Sequence, residues 1–209
     1  MLSYRSALAR VLGWAFVAFA VLNLLDLMVG ITGEPRYDRF SFVLGALLLF
    51  GCGIAYAVGL RPGIRADDAG ILVRNPLRDV RAPWRSIREI KGDGAVTVRF
   101  AGPDGRELLA RAWVLQTSPR AQRKQDQQAA KEGPAAAHLK GRSATRFAAE
   151  QLDEARARHR APARSGAPDR AAKAAGQQGP ATGTVTWSVP ALAALGVPLV
   201  LVLLALVLA

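Results

Sequence analysis

Few side chains in this sequence could make or break bonds. Its only cysteine, Cys52, lies inside an apolar run, and its two histidines, His138 and His159, stand in separate polar segments. That leaves no intrachain disulfide, no cysteine-based metal site and no ligand cluster. No nucleophile–base set or carboxylate pair stands out, and Gly102-Pro103-Asp104-Gly105 reads as a turn rather than a phosphate loop. No enzyme, cofactor or metal is therefore expected. Asp26, with Asn23 beside it, is the one ionisable feature inside an apolar run. Such residues are functional candidates in a membrane. Asp26 falls about five residues from the end of its run, where water and head groups lower its cost, so a structural or interfacial role is preferred. A component of a transport or channel assembly stays open as the alternative function.

What the sequence offers instead is arginine. Arg74, Arg78 and Arg81 cluster around one turn. Basic groups near an anionic leaflet contribute about 1 kcal/mol each, so these three could contact lipid head groups or a partner. The plainer alternative makes them solvated outer-face residues that obey the positive-inside rule.

Three apolar blocks must hold this chain in place: residues 11–31, 40–60 and 189–209. Each is long enough, at 1.5 Å per residue, to cross a hydrocarbon core about 30 Å thick. The first two form a hairpin over the short loop 32–39, and the third is a terminal helix rather than a lipid-anchor signal. The first is expected to stay uncleaved, because no small-x-small site follows it. Gly51, Ala55 and Gly59 recur every fourth residue and mark a face where a neighbouring helix can approach closely; the first helix is the expected partner. The chain carries a net charge of +12, and residues 61–184 hold 24 basic and 13 acidic side chains of that total. Arg5, Arg10, Arg61 and Arg65 flank the hairpin on one side. The expected topology therefore puts residues 1–10 and the central region in the cytoplasm, with loop 32–39 and the C-terminus outside the cell membrane.

Between the hairpin and the last helix, residues 61–114 change period. Val96, Val98 and Phe100 alternate with Thr97 and Arg99, as in a half-buried strand. Strands are expected at 64–66, 71–74, 79–83, 88–91, 95–100 and 106–113. Their turns fall at Asp67-Asp68-Ala69-Gly70, Asn75-Pro76-Leu77-Arg78 and Gly102-Pro103-Asp104-Gly105, where proline presets φ or glycine supplies φ > 0. Trp84, Ile87 and Ile90 are spaced by three, which a turn or bulge between two strands would explain, with Trp84 in the core.

The run from Arg65 to Arg78, including Gly70-Ile71-Leu72-Val73-Arg74-Asn75-Pro76-Leu77-Arg78, followed by Pro83-Trp84-Arg85-Ser86-Ile87, resembles the bacterial pleckstrin-homology (PH)-like domain family. These are small membrane-tethered proteins, many from high-GC Gram-positive bacteria. The resemblance covers about fifty residues, together with the membrane hairpin. It implies an α+β membrane protein whose small antiparallel β-barrel or split sandwich is closed by a C-terminal helix, and it implies no activity. The sequence departs from the family pattern in showing fewer readable strands and a long polar insert before any helix.

Segments 115–141 and 161–184 are rich in Ala, Gln, Gly, Pro, Arg and Lys and are expected to remain disordered linkers. Residues 142–160 read as a helix with Ala144, Ala148, Leu152 and Ala155 on one side, either capping the β domain or lying on the membrane. The expected function is a noncatalytic binding or scaffold module. Its partners would be the bilayer with its anionic lipids and a membrane or cytoplasmic protein rather than nucleic acid, and the basic linker is expected to dominate lipid attraction.

Overall fold

The structure, a computed structural model, describes residues 2–31, 33, 38–116, 144–159 and 182–207. Both expected linkers fall almost entirely outside these residues, as does His138. The chain divides into two units, residues 1–5, 63–74 and 79–186 in one, and residues 6–62, 75–78 and 187–209 in the other.

The first unit is α+β. Strands β1 (Leu2–Tyr4), β2 (Gly63–Ala66), β3 (Gly70–Arg74), β4 (Arg78–Pro83) and β8 (Thr184–Trp187) form one sheet in that order, while β5 (Ile87–Lys91), β6 (Ala95–Ala101) and β7 (Glu107–Gln116) form a second. The described pairings are antiparallel. The inward residues are those the two-residue period selects. Ile64, Ile71, Val73, Val80, Val96, Val98 and Phe100 are buried in one cluster, and Thr97 and Arg99 face out. The three-residue spacing of Trp84 and Ile87 is absorbed by a 3-10 turn, Trp84–Ser86, and by a register shift between Ile87 and Glu89.

Two strands have no counterpart in the sequence reading. Residues 2–4 pair with β2, in register Leu2 to Ala66 and Tyr4 to Ile64, and residues 184–187 line the far side of β4. Just before β8, the Gly183 amide donates to the Ala101 carbonyl (2.7 Å), which ties this segment to the second sheet.

The first turn also departs from expectation. Gly70 does not adopt positive φ, which occurs at Gly30, Gly94 and Gly105. Glycine is required at position 70 by proximity, since a Cβ there would lie 2.3 Å from the Ala82 carbonyl oxygen. The turn itself is held by the Asp67 carboxylate, which accepts from the amides of Ala69 (2.9 Å) and Gly70 (3.0 Å).

Helix α3 (Ala144–His159) packs on the core through Ala148, Leu152 and Ala155, so it caps the sheets. Its side chains fasten three separate elements. Gln151 accepts from the Tyr4 hydroxyl (2.6 Å), Arg156 donates to the Arg88 carbonyl (2.7 Å), and His159 stacks on Trp84 with ring centres 5.2 Å apart. The remaining edge of His159 lies 3.6 Å from the Asp68 carboxylate.

The second unit is helical. Helices α1 (Ala7–Val29), α2 (Arg39–Ile54, continuing as a π-helical turn Ala55–Leu60) and α4 (Val189–Val207) are each long and apolar enough to cross a membrane. Ser6 caps α1 by accepting from the Ala9 amide (3.2 Å), and Asp38 caps α2 through Ser41 (2.9 Å). Glycines set the packing distances. A Cβ at Gly51 would strike the Phe16 ring at 2.5 Å, and one at Gly59 would lie 2.9 Å from the Ala9 carbonyl oxygen, so both face α1 as their spacing predicts. A π turn takes more residues than an α turn, which keeps Gly59 in line with Gly51 over two turns. Gly53, on another face, meets the Ala194 carbonyl of α4, where a Cβ would come within 2.0 Å. Asn23 donates to its own helix at the Phe19 carbonyl (2.8 Å), a self-contained arrangement.

Candidate functional site

The three arginines singled out by sequence are divided between the two units, Arg74 and Arg81 in the β unit and Arg78 in the helical one. Arg74 ends β3 opposite Asp79, and Arg81 sits on β4 opposite Leu72. Ile71, Val73, Val80 and Ala82 point into the core, so alternation sends Arg74 and Arg81 outward together. Arg65, which sequence reasoning treated only as a flanking charge, joins them: it pairs with Leu72 from β2, giving the outward row Ser3, Arg65, Leu72, Arg81.

Arg78 belongs to the helical unit. Its guanidinium lies 4.3 Å from the centre of the Trp187 ring. The turn that carries it is held by neighbours at the ends of two apolar helices. Arg61, after α2, donates from its guanidinium to the Asn75 carbonyl. The Ser188 amide donates to the Leu77 carbonyl (2.8 Å), and the Ser188 hydroxyl accepts from the Ala191 amide (3.3 Å), capping α4. Two arginines and a tryptophan thus sit together where apolar helices end, the composition of an interfacial belt. Stacking on Trp187 uses the face of the Arg78 guanidinium, and its N–H donors lie in the plane, so they stay available to an oxyanion. Sequence reasoning passed over Trp187 and Ser188, although an aromatic and a serine directly before an apolar run are the signals of an interfacial belt and a helix cap; their contact with residues 77 and 78 carries no such signal.

Charge is distributed unequally over the two sheets. On the outer face of the three-stranded sheet Glu89 lies 2.9 Å from Lys91 and 3.8 Å from Arg99, and Glu107 lies 3.8 Å from Arg99. The hydrogen bond from Lys91 holds the Glu89 carboxyl below the usual range, with Lys91, Arg99 and Arg156 adding attraction. Among the described residues, none of Arg65, Arg74, Arg78 and Arg81 has such an ion pair.

No cluster of three or more potential metal ligands occurs among the described residues. Cys52 sits on α2, partly covered, and Gly102-Pro103-Asp104-Gly105 is a turn closed by the Gly102 amide on the Arg106 carbonyl (2.8 Å).

Residues 61–130 fit the family model described as Bacterial PH domain. The matched range starts just before β2 and includes β2 to β7; β1, α3 and β8 lie outside it. No curated protein and no solved structure matches the chain.

Proposed function

We propose, from the premise that residues 61–130 are a bacterial PH domain carried between helices fit to cross a membrane, that this chain is a noncatalytic binding module anchored by three spans, with the domain on the cytoplasmic side. We further assign the Arg78–Trp187 site to the head groups of anionic lipids. The 4.3 Å stacking of a guanidinium on an interfacial tryptophan carries this reading, because it fixes a cation where lipid phosphate is found. Sidedness is supported by Arg5, Arg10, Arg61 and Arg65 at the same end of the hairpin. The pairing of β1 with β2 adds that residues 2–4 and the domain share one side, whichever it is, since strands before and after two spans can join only if the chain crosses twice. The basic segment 115–184 adds attraction that salt removes, whereas the stacked arginine adds preference among lipids.

Two measurements test this on the full chain. With Cys52 removed and single cysteines at Thr32 or Asp104, an impermeant thiol reagent applied outside cells labels position 32 and spares 104; the reverse pattern refutes the sidedness. In nanodiscs of mixed phosphatidylcholine and phosphatidylglycerol, mass spectrometry of the retained lipid shows phosphatidylglycerol enriched around the wild type, and Arg78→Gln reduces the enrichment several-fold. Unchanged enrichment in Arg78→Gln refutes the head-group assignment.

A further inference from the structure

The outward row of the five-stranded sheet is laid out for a different ligand. Arg65 and Arg81 stand on strands two apart, with half-buried Leu72 between them on β3. Strands are spaced by about 4.8 Å, so the two guanidinium stems rise from backbones about 10 Å apart. On the three-stranded sheet the corresponding cations are met by Glu89 and Glu107, whereas Arg65 and Arg81 have no ion pair among the described residues. Ser3, which precedes them in the row, is small and uncharged.

The sheet also restricts how a polypeptide can bind. β1 lies beside β2 and β8 beside β4, so Arg65, Leu72 and Arg81 stand on inner strands, and a polypeptide reaches them across the face of the sheet rather than by pairing with their strands. We infer that this face is a docking surface for an acidic amphipathic helix of another protein, with two carboxylates about two turns apart seated on Arg65 and Arg81 and an apolar residue between them on Leu72. The match is geometric. Residues seven apart on a helix are separated by about 10.5 Å and return to nearly the same side, with positions three and four on that side midway. The apolar centre and the fixed separation favour a polypeptide over a lipid surface, whose charges are mobile and need no partner for Leu72. The inference rests on reading residues 61–130 as a binding module and uses none of Arg61, Arg78 and Trp187, so the lipid measurement on Arg78→Gln fails or succeeds separately.

The test uses the full chain in nanodiscs of phosphatidylcholine alone. The probe is a fluorescent synthetic helix with Glu at positions i and i+7 and Leu at i+3 and i+4, beside a peptide of equal composition with its Glu spacing scrambled. Anisotropy reads at least tenfold tighter binding of the spaced peptide. Arg65→Gln with Arg81→Gln removes that preference, and Lys91→Gln with Arg99→Gln leaves it. Arg65→Glu with Arg81→Glu transfers it to a peptide carrying Lys at i and i+7. Near-ultraviolet circular dichroism of each variant, superimposable on that of the wild type, confirms that the aromatic packing as a whole is unchanged. Equal binding of the spaced and scrambled peptides by the wild type overturns the proposal. So does equal loss in the Lys91 and Arg99 variant. A double Gln variant that keeps the peptide but loses phosphatidylglycerol enrichment in mixed nanodiscs also overturns it, by showing that the face meets lipid.

Discussion

Replacing Trp84 by alanine should remove the largest side chain of the β unit's core together with two specific attachments. Trp84 is 4% exposed, its indole N–H donates to the Asp67 carbonyl (2.9 Å), and its ring carries His159 at 5.2 Å with planes 13° apart. A buried Trp→Ala change costs about 3–5 kcal/mol in packing and cavity. The lost indole hydrogen bond is worth about 1 kcal/mol. The ring stacking adds about 0.5–1.5 kcal/mol. Domains of this size are stable by only about 5–15 kcal/mol, so the alanine variant should sit near or beyond its unfolding threshold at growth temperature. Trp84→Phe keeps an aromatic ring for His159 and loses the hydrogen bond and part of the volume, so it should fall between wild type and alanine. The assay is hydrogen exchange by mass spectrometry on the full chain in nanodiscs, following peptides from β3, β6 and α3, because these report on the β unit separately from the apolar helices. A fragment starting at residue 61 and ending at 160 is unsuitable, since it lacks both β1 and β8. Unchanged protection of α3 in Trp84→Ala would refute the account of how this helix is held.

Three further outcomes follow from the geometry. Burial pushes the Tyr4 phenol up from its ordinary value, so the folded sheet favours the neutral form; the resulting stability is present below the unfolded value near 10 and is lost as pH rises through the folded one. Denaturant titrations at pH 7 and pH 10.5 should show wild type losing more stability than Tyr4→Phe, which has already lost the bond to Gln151, about 0.5–1.5 kcal/mol; equal losses contradict this. Gly92→Ala places a Cβ 2.6 Å from the Arg146 Cα and should push α3 off the β5–β6 turn, costing about 1–3 kcal/mol, and wild-type exchange rates in residues 144–152 would count against it. Gly53→Val should separate α2 from α4 at Ala194 and lower the temperature at which the detergent-solubilised chain aggregates, whereas Gly196→Val, where a Cβ meets nothing within 4 Å, should not.

The sheets between residues 63 and 116 were legible because alternation and turn chemistry are local signals: Val96, Val98 and Phe100 announce their own face. β1 and β8 were not. Leu2-Ser3-Tyr4 and Thr184-Val185-Thr186-Trp187 are too short to display a period, and each becomes a strand only through partners far along the chain. The outward direction of Arg74 and Arg81 could be read from their neighbours. The company of Arg78 could not, because Trp187 lies more than a hundred residues away and the link is made by folding alone. Gly70 shows a subtler gap, for a glycine in a turn suggests positive φ, and only the approach of β4 reveals that its missing side chain is what matters.

The pairing of residues 2–4 with residues 64–66 also bears on how the chain is made. β1 is synthesised before the hairpin and must wait through the synthesis and insertion of about sixty residues before its partner exists. A nascent chain that crosses the bilayer once instead of twice strands β1 on the wrong side, leaves the outer edge of β2 bare, and exposes the row of amides and carbonyls on which aggregation and quality-control proteases act. Correct insertion of the hairpin is thus a precondition for completing the sheet, and a mis-threaded molecule carries a visible flaw in its aqueous domain. Chains lacking residues 2–4 should be cleared as mis-threaded ones are, even when their helices are correctly placed.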